Sequence, residues 1–345
     1  MVRRHVLIGD GPGAMAAAEA IRSADESAQI VVVGADPHGF YSRPGLAYFL
    51  TNEMPEKQLF PFSREEIATL GLSFVGERAI GVDPAEHRVA LESGRLLEYD
   101  RLLLATGSGA IMPGIPGVEL DGVVKLDDMD DARDIARRAR GVKVAVVVGG
   151  GITALEIVEG LRARGVHVHY FMRRERYWSN VLSESESRIV EQALWRESVD
   201  LHPFTELARI HGRDGRVTAA ETGEGLLVRC SIVAVAVGVR PRIELAAAAG
   251  LACGRGVLVD AYLRSSDPHI YAAGDVAEVW DEHTGRRTLD VLWNVALAKG
   301  RIAGRNMAGE PVVKYGEGSP LNVTRLAGLK TTIIGTVGRG QDADL

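Results

Sequence analysis

The stretch Val6–Glu19, Val-Leu-Ile-Gly-Asp-Gly-Pro-Gly-Ala-Met-Ala-Ala-Ala-Glu, runs an apolar strand through a glycine turn into an alanine-rich helix. That is the pattern of a dinucleotide-binding turn. Gly9 permits the tight turn, and Gly11 lets backbone N–H groups approach a pyrophosphate. The helix that follows points its positive end, worth roughly half an elementary charge, at that anion. Ala14 fills the third small position, which needs only close packing of helix on strand. A glycine turn between any buried strand and helix has a similar look, so the motif alone leaves both readings open. The next apolar run, Ile30 to Val33, is followed by Asp36, placed where an acid accepts hydrogen bonds from an adenosine ribose.

The pattern recurs at Val144–Glu156, where an unbroken valine-rich strand meets Gly149-Gly150-Gly151 and a helix starts at Ile152. Two dinucleotide turns imply two dinucleotides. The strand after the second turn, Val166 to Met172, reaches the place of the ribose acid but offers Met172, Arg173 and Arg174 instead. A 2′-hydroxyl there loses an acceptor, whereas two guanidiniums pair bidentately with a 2′-phosphate. That favours NADPH over NADH, with ordinary surface arginines as the other reading.

At 345 residues, 46% hydrophobic and 25% charged, the chain has room for two or three globular units. A formal charge of −6 without a long basic run argues against nucleic acid or an anionic membrane as partner. Asp10 ends the first apolar run far short of a secretory core, and no stretch is long enough to span a membrane. Cys230 and Cys253 form no C-x-x-C pair, so they read as packing residues rather than a redox dithiol or zinc site, and no metal is expected. So few cysteines fit a cytoplasmic location.

Along the chain, Pro37–Leu50 is a loop rich in turn formers and aromatics, of the kind that lines a ligand crevice. Ser63–Glu66 reads as a capping box opening a short helix. Arg78–Val82 and Arg88–Glu92 read as paired strands, and Tyr99–Gly107 as a buried strand ending in a small polar turn. Asp127–Arg140 is a solvated helix with an acidic first turn, and Leu182–Trp195 is another helix. Val217–Ala220 and Leu226–Cys230 suggest a hairpin, Ile232–Gly238 a buried strand, Val257–Tyr262 and His269–Gly274 short strands, and Val291–Asn306 a helix. Asp275 either hydrogen-bonds a polyol or caps a helix.

The combination Gly9-x-Gly11-Pro12, Tyr41-Ser-Arg-Pro44, Ala105-Thr-Gly107, Gly149-x-Gly151, Ala236-Val-Gly-Val-Arg-Pro241, Ile270-Tyr-Ala-Ala-Gly-Asp275 and Trp293–Asn306 resembles the FAD-dependent pyridine nucleotide-disulfide oxidoreductase superfamily over nearly the whole chain. The branch it looks most like holds rubredoxin, ferredoxin and nitrite reductase flavoproteins and NADH oxidases. The resemblance implies an α/β chain with two Rossmann-like domains on parallel central sheets. A discontinuous FAD domain, residues 1–112 and 243–315, would receive an inserted NAD(P)H domain, 113–242, and 316–345 would be a remnant of a C-terminal interface domain. It further implies that Gly9, Gly11 and Gly13 form the pyrophosphate turn, Asp36 the ribose acid, and Arg43 and Pro44 a loop beside the flavin phosphates. Ala79 would make an adenine backbone contact, Ala105, Thr106 and Gly107 the second FAD motif, and Gly274 and Asp275 the ribityl carboxylate turn. Trp293 would lie beside the flavin ring unless it is a plain core residue. Gly149, Gly151, Ile152, Val237 and Gly238 would meet NAD(P)H.

Departures from that pattern carry their own chemistry. Pro44 stands where relatives with a reactive thiol have cysteine, which disfavours disulfide, persulfide and peroxide chemistry through sulfur. Ala47 and Tyr48 replace the Ser-Lys pair of ferredoxin-reductase relatives, whose lysine meets a glutamate at the position of Glu156. Glu156 is then expected near the nicotinamide with a raised pKa, or else as a solvated helix residue. Asn322–Gly338 looks like the first strands of the interface domain; such strands need partners, supplied by further chain or by another subunit in a homo-oligomer. The expected activity is hydride transfer from NAD(P)H to flavin N5, with electrons passed on to a redox protein of the rubredoxin or ferredoxin type or to a small acceptor. The alternative is a redox-sensing or interaction flavoprotein with little turnover.

Overall fold

The computed structural model describes residues 2–62, 64–282, 285–309, 313–316 and 321–334. In chain order the principal elements are β1 (Arg4–Ile8), α1 (Pro12–Ala24), β2 (Gln29–Val33), α2 (Gly45–Leu50), β3 (Leu72–Val75), β4 (Arg101–Leu104), β5 (Val123–Val124), α3 (Met129–Arg138), β6 (Val144–Val148), α4 (Ile152–Arg162), β7 (His167–Phe171), α5 (Glu184–Arg196), β8 (Val199–His202), β9 (Ile232–Val235), β10 (Ile270–Ala272) and α6 (Trp293–Ala308). They fall into two compact units: Met1–Tyr41, Phe60–Gly109 and Arg240–Gly318 form one, and Ser42–Leu59, Ala110–Val239 and Ser319–Leu345 the other.

The first unit is built on a parallel sheet in the order β3-β2-β1-β4-β10. Val6 lies opposite Val31 on one side and Leu102 on the other, and Leu102 lies opposite Ile270. Strands covered on both faces need side chains that tolerate burial throughout, which is why Val6, Leu7, Leu102 and Leu103 sit in unbroken apolar runs with no solvent exposure. Small residues let α6 press on α1: a Cβ at Gly300 would lie 2.2 Å from the Gly13 carbonyl oxygen, and one at Gly304 2.4 Å from that of Ala17. The strands Ala79–Asp83, Arg88–Leu91 and Leu96–Glu98 form an antiparallel appendage.

The second unit repeats the plan with the order β8-β7-β6-β9-β5, again all parallel. Val146, Val147, Val233 and Ala234 are wholly buried. Its antiparallel strands Leu207–Arg213, Arg216–Thr222 and Leu227–Arg229 contain the expected hairpin. Helix α2 approaches α4 so closely that a Cβ at Gly160 would fall 2.7 Å from Leu50 Cβ. The segment Ser42–Leu59, expected with residues 1–112, therefore groups with the second unit.

Some elements are shorter than their patterns suggest. The strand expected over Val257–Tyr262 stops at Leu258, because the Asp260 carboxylate accepts the Tyr262 and Arg264 N–H groups and turns the chain. The acidic helix starts at Met129 instead of Asp127, since the Asp128 side chain accepts the Asp131 N–H at 2.9 Å as its cap. Leu321–Leu326 and Leu329–Ile334 pair as an antiparallel hairpin, and the expected strand continuation to Gly338 lies outside the described residues. So does Ser63, the first residue of the expected capping box.

Candidate functional site

In the first unit three turns lie at the carboxyl ends of neighbouring parallel strands, the place where open α/β sheets bind ligands. The first follows β1. Gly9 has φ 112°, and a Cβ there would lie 2.1 Å from the Ala105 carbonyl oxygen, so no other residue fits. Gly11 is the N-cap of α1 and Pro12 its first residue; no side chain caps this helix end, and the space where a Gly11 Cβ would stand is open. Gly13 and Ala14 are buried in the first helical turn. The second turn follows β4. There Thr106 Oγ1 donates to the Arg242 carbonyl at 2.8 Å, the Arg242 N–H donates to the Gly107 carbonyl at 2.9 Å, and Gly107 has φ 67°. The third turn is Gly274-Asp275, where Ser108 Oγ donates to Asp275 Oδ2 at 2.6 Å. Asp275 is not the cap of α6, whose N-cap is Leu292 with no side-chain cap.

Asp36 lies beyond β2, its Oδ1 accepting the His38 N–H at 2.9 Å and its Oδ2 the Tyr41 hydroxyl at 3.1 Å. Ala79 opens its antiparallel strand opposite Leu91. Trp293 is the first residue of α6 and stacks on Phe40, with ring centroids 5.7 Å apart and planes at 19°; Phe40 stacks in turn on Phe62. Arg43 and Pro44 belong to the second unit. The Arg43 guanidinium donates to the Asp127 carbonyl and Pro44 is the N-cap of α2.

The second unit repeats the plan of the first turn. Gly149 has φ 150°, and its Cβ would lie 2.1 Å from the Ala236 carbonyl oxygen. Gly151 is the uncapped N-cap of α4, Ile152 begins the helix, and the Gly151 Cβ position is open. Val237 is exposed and Gly238 has φ 134°. After β7 the chain passes through exposed Arg173 and half-buried Arg174 and returns to the turn, where the Trp178 N–H donates to the Gly150 carbonyl at 3.0 Å. Two longer helices of this unit that face no glycine turn are capped by side chains, α3 by Asp128 and α5 by a Ser183–Glu186 capping box, whereas the short α2, with Pro44 at its N-cap, has no side-chain cap. The uncapped N–H groups at Gly11 and Gly151 are thus suited to an outside acceptor such as a phosphate.

Glu156 lies on α4, and burial, with Glu159 adding repulsion, pushes its carboxyl up to about 7. Tyr48, at the place of the lysine named above, lies under the Arg325 guanidinium, whose carbon is 5.6 Å from the ring centroid. Arg325 pairs with Glu53 and, at 3.8 Å, with Glu159, one turn along α4 from Glu156. Ser108, Arg242, Trp178 and Arg325 join these sites through tertiary contacts with partners distant in sequence, which no local motif announces. Burial pushes the Cys230 thiol up to about 12 and raises that of Cys253, so neither is an activated thiolate.

The family model described as pyridine nucleotide-disulphide oxidoreductase matches residues 3–300. The chain belongs to this family. It is 32% identical over 336 residues to the biphenyl dioxygenase system ferredoxin–NAD(+) reductase component of Paraburkholderia xenovorans, covering 97% of this chain and 81% of that protein. It is 31% identical over 316 residues to the NADH oxidase of Methanocaldococcus jannaschii, covering 89% and 70%. Among solved structures, a ferredoxin reductase from Rhodopseudomonas palustris matches with TM-score 0.92 and 26% identity over 97% of this chain and 82% of that one. As a member of this family the chain is an FAD-dependent NAD(P)H oxidoreductase with the two-Rossmann α/β architecture. Among the described residues no helix is long and apolar enough to cross a membrane.

Proposed function

We propose that the first unit holds FAD, that the second holds NADPH in preference to NADH, and that electrons leave to an iron–sulfur protein of the ferredoxin or rubredoxin type without a redox disulfide. The observation that carries this reading is the paired glycine turns, alike in backbone geometry but followed by Asp36 in one unit and by Arg173-Arg174 in the other. A carboxylate accepts from ribose hydroxyls, and guanidiniums donate to a 2′-phosphate.

The residues fit those groups. In the first unit the uncapped N–H groups at the start of α1 would hold a pyrophosphate, Asp36 the adenosine ribose, the Ala79 backbone the adenine, the Thr106-Gly107 turn the flavin side, and Asp275, oriented by Ser108, a ribityl hydroxyl. Trp293, fixed by its stack on Phe40, would shield the ring from water. Bound FAD supplies the two-electron acceptor chemistry that a reduced nicotinamide requires. In the second unit Gly151 and Ile152 would receive the pyrophosphate, and Val237-Gly238 would border the nicotinamide half. Glu156, its carboxyl pushed up to about 7 by burial and so partly protonated near neutrality, can stand beside that ring with less than a full negative charge. Two cysteines without activation, and Pro44 at the start of α2, support a route free of sulfur chemistry. The ferredoxin named by the Paraburkholderia relative supports the choice of acceptor.

Anaerobic titration of the purified flavoprotein with NADPH, and separately with NADH, tests the reading by the bleaching of flavin absorbance. Near-stoichiometric bleaching by NADPH and a much weaker response to NADH is expected. Equal responses would remove the role given to Arg173 and Arg174. Reduced protein mixed with oxidised ferredoxin should then reduce it over many turnovers, and oxygen consumption without a protein acceptor should be slow by comparison.

A further inference from the structure

The second unit carries a cluster that the nucleotide reading does not use. Strands β7 and β8 are parallel, with His169 opposite Asp200 and Phe171 opposite His202. The two-residue period of a strand puts His167 and His169 on one face, and Asp200 and His202 on the same face of the neighbour. His167 Nε2 lies 2.9 Å and His169 Nδ1 3.5 Å from Asp200 Oδ2, while His202 Nε2 lies 3.0 Å from His169 Nδ1. One ligand atom each from His167, His169 and Asp200 fall within 4.8 Å of one another, and the three are half-buried to exposed, open to an ion from solvent. Tetrahedral zinc bonds of about 2.0–2.2 Å hold their donor atoms roughly 3.4 Å apart, so small side-chain adjustments would close the set.

We propose that His167, His169 and Asp200 bind one divalent transition ion of the zinc type, with His202 as the nearest source of a fourth donor. Two imidazoles and a carboxylate suit zinc better than magnesium or calcium, which prefer all-oxygen sets. The ion would staple β7 to β8. That matters locally because Met172, next after β7, donates to the His202 carbonyl at 2.9 Å and accepts from the Thr205 N–H at 2.9 Å, and Arg173 and Arg174 follow. Two cysteines without a metal-binding spacing gave no hint of such a site. The signal was the alternation His167-x-His169 and Asp200-x-His202, which becomes a cluster only when the strands are adjacent. The site stands independently of which nucleotide the unit binds.

The test is equilibrium dialysis of the chelator-stripped flavoprotein against micromolar zinc sulfate, followed by metal analysis, with cobalt(II) as a spectroscopic probe of coordination. The intact chain should retain about one equivalent and give tetrahedral cobalt bands. His167→Gln and Asp200→Asn, at a half-buried and an exposed position, should each weaken zinc binding by roughly a hundredfold or more, beyond the ~10–100-fold typical of outer-shell losses. His211→Gln, in the separate His211–Glu221 pair at 2.6 Å, should leave it unchanged. Circular dichroism of each variant confirms folding. Absence of stoichiometric zinc in the intact chain, or equal binding by folded His167→Gln and Asp200→Asn, overturns the assignment.

Discussion

Gly9 and Gly149 are held alike: each has a positive φ, each would drive a Cβ to 2.1 Å from a carbonyl oxygen on the adjacent strand's exit, and each precedes an uncapped helix. Their N–H groups also donate to equivalent places, Gly9 to Val33 at 2.8 Å and Gly149 to Phe171 at 3.1 Å. The units part company one strand later. The first places Asp36 beyond β2, held by His38 and Tyr41, and the second places Arg173 and Arg174 beyond β7. On the proposed reading, turn geometry lets each unit hold a pyrophosphate, and the residues after the second strand choose which sugar goes with it.

The most forceful way to break this comparison is to spoil one turn at a time. Gly9→Ala combines a strained φ with an overlap against Ala105 that backbone must absorb, and Gly149→Ala does the same against Ala236. Strain of about 1–3 kcal/mol per position, before the overlap is counted, weakens binding at the spoiled turn by roughly tenfold to a hundredfold or more. After gel filtration, Gly9→Ala should emerge largely without flavin. Gly149→Ala should keep its yellow colour but bleach only at far higher nicotinamide concentrations. If both variants lost flavin equally, the assignment of one dinucleotide to each unit would not survive.

A second contrast lies in the buried ionisable groups. His5 on β1 is wholly buried with neither ring nitrogen partnered among the described residues, and burial, aided by Arg3 and Arg101, pushes it down to about 4. Its unfolded form takes up a proton first, so the stability it contributes is present above about 6.5 and is lost as pH falls toward 4. Glu156 behaves oppositely. Its contribution is present below about 4.5 and is lost as pH rises through about 7. Each effect amounts to about 3 kcal/mol across its window as an order of magnitude. His5→Leu should flatten the acid-side dependence of flavin release on heating, which reports the first unit. Glu156→Gln should flatten the neutral-side dependence of denaturant unfolding and leave the acid side of flavin release unchanged. A single pH profile altered identically by both substitutions would mean that the units do not titrate separately.

Both turns and their strands were legible in the sequence because their requirements are local: glycine where a Cβ meets backbone, and valine or leucine where both strand faces are covered. Asp275 was legible as a carboxylate at a turn but ambiguous between cap and ligand, since its neighbour Ser108 stands far away in the chain. Arg43 shows the limit from the other side. Its motif was visible, yet its hydrogen bond to the Asp127 carbonyl and the grouping of Ser42–Leu59 with the second unit depend on α2 packing on α4 through Gly160 and Leu50. The histidine cluster was invisible for the same reason, because the register between β7 and β8 is a property of the sheet and of neither strand alone.

The finest distinction between the units rests on Arg173 and Arg174, and it calls for the smallest substitution effect. Charge-assisted hydrogen bonds contribute about 1.5–3 kcal/mol, so Arg173→Ala with Arg174→Ala should lower kcat/KM for NADPH by roughly tenfold to a hundredfold. NADH lacks the 2′-phosphate, and its kcat/KM should change by less than about threefold. Single variants separate the two arginines: Arg173 is exposed and Arg174 half-buried, its carbonyl accepting the Phe204 N–H at 3.2 Å. A charge held in a more enclosed place is screened less, so Arg174→Ala should cost more than Arg173→Ala. Salt sharpens the same point, because raising ionic strength should narrow the NADPH preference of the unaltered chain and leave NADH turnover nearly constant. A double variant that lost both nucleotides in parallel would show that the arginines shape the loop without reading the phosphate, and the second turn would then differ from the first in sequence but not in selectivity.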